Sequence, residues 1–188
     1  AGMSAAASRP AGDFWVFGYG SLMWNPGFAY EESVPAVIYG FHRAFCVYSI
    51  RYRGTKERPG LVLGLDRGGS CRGIAFRVAA VNVATTIAYL TEREMITNTY
   101  SPRDLPARAG RRRITVRTFV VNRDHPQYAG KLAPAVAARM ICEGKGRNGA
   151  CSDYLENTVR HLDELGIREG PIHALLKLVR SGRGESVR

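Results

Sequence analysis

The sequence predicts an α+β fold in a single domain, and three observations carry that expectation. Segments rich in aromatic and β-branched residues, the composition of strands, fall before residue 122. Segments with apolar residues at helical spacing fall mostly after residue 130. Only one helical pattern interrupts the strands, so the regular alternation of a parallel α/β sheet is missing.

The elements follow in chain order. Phe14, Trp15, Val16 and Phe17 suit a buried strand over 14–18, which stops in a glycine-bracketed loop. Val37, Ile38, Phe41, Phe45, Val47 and Tyr48 supply a second strand over 36–48. Segments 61–66 and 72–79 read as two further strands, and Asp66-Arg67-Gly68-Gly69-Ser70 between them as a hairpin turn. A helix is expected over 82–97, with Val83, Ile87 and Leu90 on one stripe. Arg103 to Arg113, rich in proline, glycine and arginine, reads as a loop. Ile114, Val116, Phe119, Val120 and Val121 supply the last strand, over 113–121. Helices are expected near 132–143, 152–165 and 171–181, the second capped by Ser152 or Asp153. Residues 1–12 are small and polar and are expected to be disordered. The domain is expected over 13–182, with 183–188 as a flexible tail.

A length of 188 residues suits one domain with a substantial core. No apolar run approaches the ~20 residues that cross a bilayer. Residues 1–12 lack the charged and apolar regions of a signal peptide. Cys46, Cys71, Cys142 and Cys151 form no C-x-x-C pair, which argues against a zinc or redox site and for free thiols in a reducing cytoplasm. The net charge of +11 implies an anionic partner: nucleic acid, a membrane surface or an acidic small molecule. The arginines are dispersed, with Arg111-Arg112-Arg113 the one run, and no nucleic-acid motif is recognisable. An anionic small molecule is therefore expected, without nucleic acid or membrane. His42, His125, His161 and His173 show no metal-ligand spacing, so neither metal nor cofactor is expected.

Gly18-Tyr19-Gly20-Ser21-Leu22-Met23 is no standard nucleotide loop. Met23 stands where a dinucleotide fingerprint needs its third glycine, and no Gly-Lys-Ser/Thr follows. Tyr19 and Met23 exclude a Gly-x-Ser-x-Gly elbow around Ser21. Gly18 and Gly20 allow backbone angles that a Cβ would resist, and such a turn can aim N–H groups at an anion. The residues alone fit either that or a plain strand and tight turn. Gly144-Lys145-Gly146-Arg147-Asn148-Gly149 does fit G-x-G-x-x-G, but a helix precedes it rather than a strand, so no nucleotide site is expected.

The helix over 82–97 carries two glutamates with opposite expected fates. Glu94 lies seven residues after Ile87 and four after Leu90, in the middle of the apolar stripe. Glu92 lies about 200° away and should face solvent. A carboxylate on a buried face is costly unless it is paired or protonated, and desolvation raises its pKa toward the range of a general base. Glu94 reads equally as a frayed helix end or as the partner of an arginine.

Several of these strings resemble the ChaC-like branch of the γ-glutamylcyclotransferase superfamily. The stretch from Val16 to Phe28, Val-Phe-Gly-Tyr-Gly-Ser-Leu-Met-Trp-Asn-Pro-Gly-Phe, resembles the strand and Tyr-Gly-Ser-Leu loop of that branch. Tyr89-Leu90-Thr91-Glu92-Arg93-Glu94 resembles its Tyr-Leu-x-x-Arg-Glu helix, and Asp124 to Gly130 its Pro-Asn-Tyr-x-Gly segment. The glycine-rich loop at 144–149 and the helix after it are similar to that branch too. The resemblance covers roughly residues 14 to 180. It implies a mixed, barrel-like sheet with surrounding helices. It implies Glu94 as the catalytic acid–base, and Tyr19, Gly20, Ser21 and Leu22 as the loop that receives the γ-glutamyl group. Tyr100 and Tyr128 correspond to tyrosines expected to contact substrate. From the residues alone Tyr128 reads as a core-edge tyrosine and His125 as a surface loop residue. Two segments depart from the branch. Tyr48-Ser49-Ile50-Arg51-Tyr52-Arg53-Gly54 stands in place of Gly-Ser-x-Asp-His-Arg-Gly, and Met95-Ile96-Thr97-Asn98-Thr99-Tyr100 in place of a charged residue and Gly-Gly-Tyr.

The implied activity is release of 5-oxoproline from a γ-glutamyl compound, glutathione first, without a cofactor. The alternatives are a γ-glutamylamine or γ-glutamyl dipeptide cyclotransferase, or a non-catalytic module for anionic ligands or RNA.

Overall fold

The computed structural model describes residues 14–94 and 98–185. Five strands close into a barrel in the order β1-β3-β2-β4-β5. They are β1 (Phe14–Gly18), β2 (Glu32–Ser49), β3 (Gly60–Val78), β4 (Tyr100–Ala109) and β5 (Arg112–Val121). Parallel pairing of Trp15 with Val116 and Val16 with Arg117 closes it, and the other pairings are antiparallel. Helix α1 (Val83–Glu94) lies between β3 and β4 in the chain. Helix α2 (Pro134–Glu143), a short ribbon of β6 (Lys145–Gly146) and β7 (Gly149–Ala150), α3 (Cys151–Glu164) and α4 (Gly170–Glu185) follow the barrel. The α+β expectation holds.

β1 is buried along its whole length because both of its faces are covered. Trp15 and Phe17 join the main core, which also holds Ile38, Leu61 and Leu65 and the helix residues Ile141, Leu155, Leu162 and Val179. Phe14 and Val16 face the other way, into a second cluster with Leu22, Val78, Phe119 and Leu90 of α1. The strand that ends in the glycine loop is thus fixed from two sides.

The hairpin expected at 66–70 does not form. β3 runs straight through it, paired with β2 from Glu32↔Arg77 to Ser49↔Gly60. Gly68 and Gly69 do adopt positive φ, of 100° and 69°, but Gly40 at φ 90° stands alongside in β2, where the register shifts between Tyr39 and Phe41. The turn-forming glycines bend the ribbon as a bulge instead of reversing the chain. β4 corrects the loop expected over 103–113. It pairs with β5 along its length but with β2 only through Val37↔Arg108 and Ile38↔Ala107. Pro102 and Pro106 therefore sit where one strand edge needs no N–H donor.

α1 ends at Glu94, and residues 95–97 of the expected helix lie outside the described residues. So do the expected N-terminal segment 1–12 and residues 186–188, whereas α4 continues through 185, into the stretch expected as tail. α3 starts at Cys151 with Ala150 at its N-cap and no side-chain cap. Ser152 and Asp153 are inside its first turn, where the Asp153 carboxylate favours the positive end of the helix dipole. Among the described residues no helix is long and apolar enough to cross a membrane.

Candidate active site

α1 presents Thr86 and Leu90 to the barrel, both buried. Glu94 continues that face by one turn, and Glu92 is exposed as its angular position requires. The Glu94 side chain keeps 19% of its surface accessible, and what remains opens into a cleft of about 510 Å3. Its walls are Ser21, which opens the short 3-10 turn Ser21–Met23, with Trp24 just after that turn, the end of α1, Thr99 and Tyr100 at the start of β4, the segment 47–53, and Tyr154, Asn157 and Thr158 of α3. That volume is in the range of small-molecule sites.

Of the residues expected at the site, Glu94, Ser21 and Tyr100 line this cleft. Tyr19 and Leu22 are buried behind its wall, and Gly20 is half-buried between them. Leu22 anchors the turn in the cluster under α1. The structure does not bring Tyr128 to the cleft. Its hydroxyl donates to Oδ2 of Asp66 at 2.7 Å, while Arg123 Nε donates to Oδ1 at 2.9 Å. Burial draws the Asp66 carboxyl upward, but the Tyr128 and Arg123 hydrogen bonds outweigh it and hold it below the ordinary carboxylate range. Gln127, beside Tyr128, does line the cleft and brackets Tyr48 with its carbonyl and side-chain amide, both at 2.8 Å.

Neither Gly18 nor Gly20 adopts a positive φ, so no left-handed backbone accounts for those glycines. A Cβ on Gly18 would meet Leu22 Cβ at 3.0 Å, which is a space constraint. A Cβ on Gly20 would meet only Leu63 Cδ1, at 3.5 Å. The strained glycine is Gly27, at φ 74°, where a Cβ would lie 2.1 Å from the Tyr89 hydroxyl. Gly27→Ala is expected to cost about 1–3 kcal/mol and Gly20→Ala less. Thermal melts of the two variants check the order.

Arg93 ties the turn to the helix. Nη2 donates to Ser21 Oγ at 2.7 Å, and Nη1 donates to the Asn25 carbonyl at 2.9 Å and to the Tyr89 hydroxyl at 3.0 Å. Its Nε stands 3.7 Å from Glu94 Oε1, an ion pair too long for a hydrogen bond. Glu94 is the last described residue of α1 and the neighbour of an arginine, yet it remains largely desolvated. Burial raises its carboxyl above the ordinary range, and the Arg93 charge only partly offsets this.

Within the turn, the N–H groups of Met23 and Asn25 close onto the carbonyls of Gly20 and Ser21 at 2.9 and 2.8 Å. The first N–H groups of such a turn, those of Ser21 and Leu22, have no acceptor inside it. Behind the turn, buried Arg43 donates from Nε to the Tyr19 carbonyl at 2.6 Å and pairs through Nη1 with Glu169, just ahead of α4. Trp24 is held by stacking on His161, with ring centroids 4.0 Å apart. Sequence reasoning gave Arg43, Arg93 and Trp24 no role of their own.

Tyr100 and Tyr154 bracket one residue of β3. Tyr100 donates to the Leu63 carbonyl at 2.7 Å, and Tyr154 accepts from the Leu63 N–H at 3.3 Å. Burial pushes the phenols of Tyr19 and Tyr100 well up, as does the Glu94 carboxylate nearby, and Tyr154 rises to about 12 chiefly through burial. All three stay neutral at physiological pH. Burial likewise raises the Cys46 thiol to about 12 and those of Cys71 and Cys151 to about 11, so these are packing residues and not nucleophiles. Among the described residues no group of three His, Cys, Asp or Glu side chains could hold a metal ion.

A closed five-stranded barrel with a desolvated glutamate facing a Tyr-Gly-Ser-Leu turn defines a class. The fold is that of the γ-glutamylcyclotransferases. A crystal structure of the glutathione-specific γ-glutamyl cyclotransferase from yeast superposes with a TM-score of 0.81 at 21% identity, covering 90% of this chain and 96% of that one. The chain belongs to the ChaC-like protein family, whose sequence profile matches residues 14–182. The glutathione-specific γ-glutamylcyclotransferase of Escherichia coli K12 is 36% identical over 177 residues, 93% of this chain and 76% of that protein. The human glutathione-specific γ-glutamylcyclotransferase 1 is 31% identical, over 81% of this chain and 72% of its own length. γ-Glutamylcyclotransferase 2-3 of Arabidopsis thaliana is also 31% identical, over 92% of this chain and 91% of its own length.

Proposed function

We infer that this protein is a γ-glutamylcyclotransferase that converts glutathione to 5-oxoproline and cysteinylglycine. The observation that carries the mechanism is the placement of Glu94: a carboxylate raised by burial, opening on a cleft whose wall includes Ser21 of the glycine loop. The substrate supplies its own nucleophile. Its α-amine is mostly protonated at neutral pH and must lose a proton before it can attack. Glu94 takes that proton, the amine attacks the γ-carbonyl, and a five-membered ring closes. Glu94 then returns that proton to the departing cysteine nitrogen as the amide C–N bond breaks, and takes the second proton from the ring nitrogen, which the freed amine of cysteinylglycine binds as its ammonium. The N–H groups of Ser21 and Leu22 suit the developing oxyanion or the α-carboxylate, both of which are anionic. Folding the glutamyl chain so that amine meets carbonyl is an orientation effect, supported by a turn that Arg93 and Arg43 hold in place.

The cytoplasm is the proposed location, supported by the free thiols of Cys46, Cys71 and Cys151 and by a substrate that is itself a thiol. Purified protein given glutathione is expected to release 5-oxoproline and cysteinylglycine in equal amounts. Absence of 5-oxoproline overturns the reading, and a γ-glutamylamine turned over better than glutathione replaces the substrate. Ser21→Ala is expected to reduce kcat/KM by about tenfold or less, the scale of one lost hydrogen bond to Arg93. Inactivation as complete as that of a Glu94 variant, with a glutamyl group trapped on Ser21, would show nucleophilic catalysis instead.

A further inference from the structure

Three arginines line the cleft: Arg51, Arg53 and Arg93. Arg93 is occupied by Ser21, Tyr89 and the Asn25 carbonyl. Arg53 is half-buried and held in place. Its Nη1 donates to the Ala150 carbonyl at 3.2 Å, and its guanidinium lies 5.7 Å from the centre of the Tyr154 ring. A guanidinium has five N–H donors, so this anchoring leaves most of them for another acceptor. The Arg51 side chain is exposed on the same segment.

The backbone beneath these arginines is pinned. The Arg51 carbonyl accepts from the Arg147 N–H at 3.0 Å and the Tyr52 carbonyl from the Asn148 N–H at 2.8 Å. Gly146 packs so close that a Cβ on it would lie 2.5 Å from the Arg51 carbonyl oxygen. The segment is thus a fixed rim with two cations, on a cleft whose acidic lining residue is Glu94. It is also where the sequence departs from the Gly-Ser-x-Asp-His-Arg-Gly pattern: position 51 carries arginine in place of an acid.

We propose that Arg51 and Arg53 bind the terminal carboxylate of the leaving group, so that the protein selects γ-glutamyl peptides with a free C-terminus over γ-glutamyl amines and amides. This rests on the cyclotransferase reading. With the α-amine at Glu94, the α-carboxylate on the same carbon stays at that end of the cleft. The leaving dipeptide extends beyond the γ-carbonyl by about 7 Å, at 3.3–3.6 Å per residue. Its carboxylate is the one formal charge on that half of the substrate. Planar, bidentate recognition of a carboxylate is what a preorganised guanidinium does best. Arg53 supplies the fixed fork and Arg51 a second charge at the rim.

The test compares kcat/KM on glutathione and on its glycine amide, in the wild type and in the Arg51→Asp and Arg53→Met variants. The wild type is expected to prefer glutathione by about ten- to hundredfold, the scale of one charge-assisted hydrogen-bonded pair. That ratio is expected to fall toward one in Arg53→Met and to fall markedly in Arg51→Asp, with the loss carried mainly by KM. Arg51→Asp changes an exposed side chain and keeps the measurement available should Arg53→Met fail to fold. Equal kcat/KM on the two substrates in the wild type overturns the inference while leaving the cyclotransferase reading intact. Variants that slow both substrates in parallel overturn it as well, because the arginines would then act only on the rim's structure. Turnover of neither substrate by the wild type overturns the cyclotransferase reading, and this inference with it.

Discussion

Glu94→Gln is expected to lower 5-oxoproline release by about 10²- to 10⁴-fold, the span that a positioned general acid–base contributes. The change keeps the shape of the side chain and removes its basicity. Its consequence for stability should run the other way. Burial raises the Glu94 carboxyl above its unfolded value, so between the two pKa values the native state holds more protons than the unfolded state. Stability is then lost as pH rises through that interval, and at neutral pH the ionised carboxylate weakens the fold. Glutamine has no charge to desolvate. Glu94→Gln should therefore melt at a higher temperature than the wild type at pH 7, and the difference should shrink as pH falls through that interval and be gone below the ordinary glutamate range. In the wild type, kcat/KM should rise with pH through the Glu94 ionisation, with a midpoint above that of an exposed glutamate. This limb should vanish in the variant. Near wild-type turnover by Glu94→Gln would remove Glu94 from the mechanism. A melting temperature unchanged at every pH would show that its carboxylate is not desolvated.

Glu94 was legible because helical periodicity is a strict ruler. Four residues from Leu90 and two from Glu92 leave one glutamate inward and one outward, and the structure places them so. β1 and its loop were legible for a related reason: four consecutive large apolar residues need cover on both faces, and few arrangements supply it. β4 was not legible. The stretch 103–113 is read as a loop for its proline and glycine, and only the pairing shows that one edge of this strand demands nothing of Pro102 and Pro106. The glycines at 68 and 69 misled for the opposite reason. Their backbone angles are those of a turn, but a matching glycine at 40, distant in sequence, converts the turn into a bulge. The Tyr100 and Tyr154 hydroxyls that meet at Leu63 come from β4 and α3, and no local pattern connects them. Arg43 left no signal either, because one arginine in an alternating strand reads as an outward-facing residue.

Arg43→Met is expected to destabilise the fold by about 3–5 kcal/mol, the cost of breaking a buried ion pair by removing one partner. The Arg43 side chain has no accessible surface, and Glu169 keeps only 21% of its own. Nε serves the Tyr19 carbonyl and Nη2 the Arg72 carbonyl, both at 2.6 Å, while Nη1 serves Glu169. Methionine fills the volume but supplies none of these donors. It leaves a carboxylate and two carbonyl oxygens without their partner in a dry environment. For a domain of this size each kcal/mol lowers Tm by about 2–4 °C, so a drop of roughly 6–20 °C is expected. Replacing Glu169 by methionine as well should recover part of the loss, because the stranded charge goes with it. Recovery should stay incomplete, since the Tyr19 and Arg72 carbonyls remain unpaired. The Tyr19 carbonyl belongs to the turn that faces Glu94, so the single variant should also lose kcat/KM at temperatures well below its melting point. Denaturant unfolding of the two single variants and the double variant, with kinetics on each, measures both effects. A loss below about 1 kcal/mol for Arg43→Met, the scale of an exposed ion pair, would show that the pair does not hold the turn.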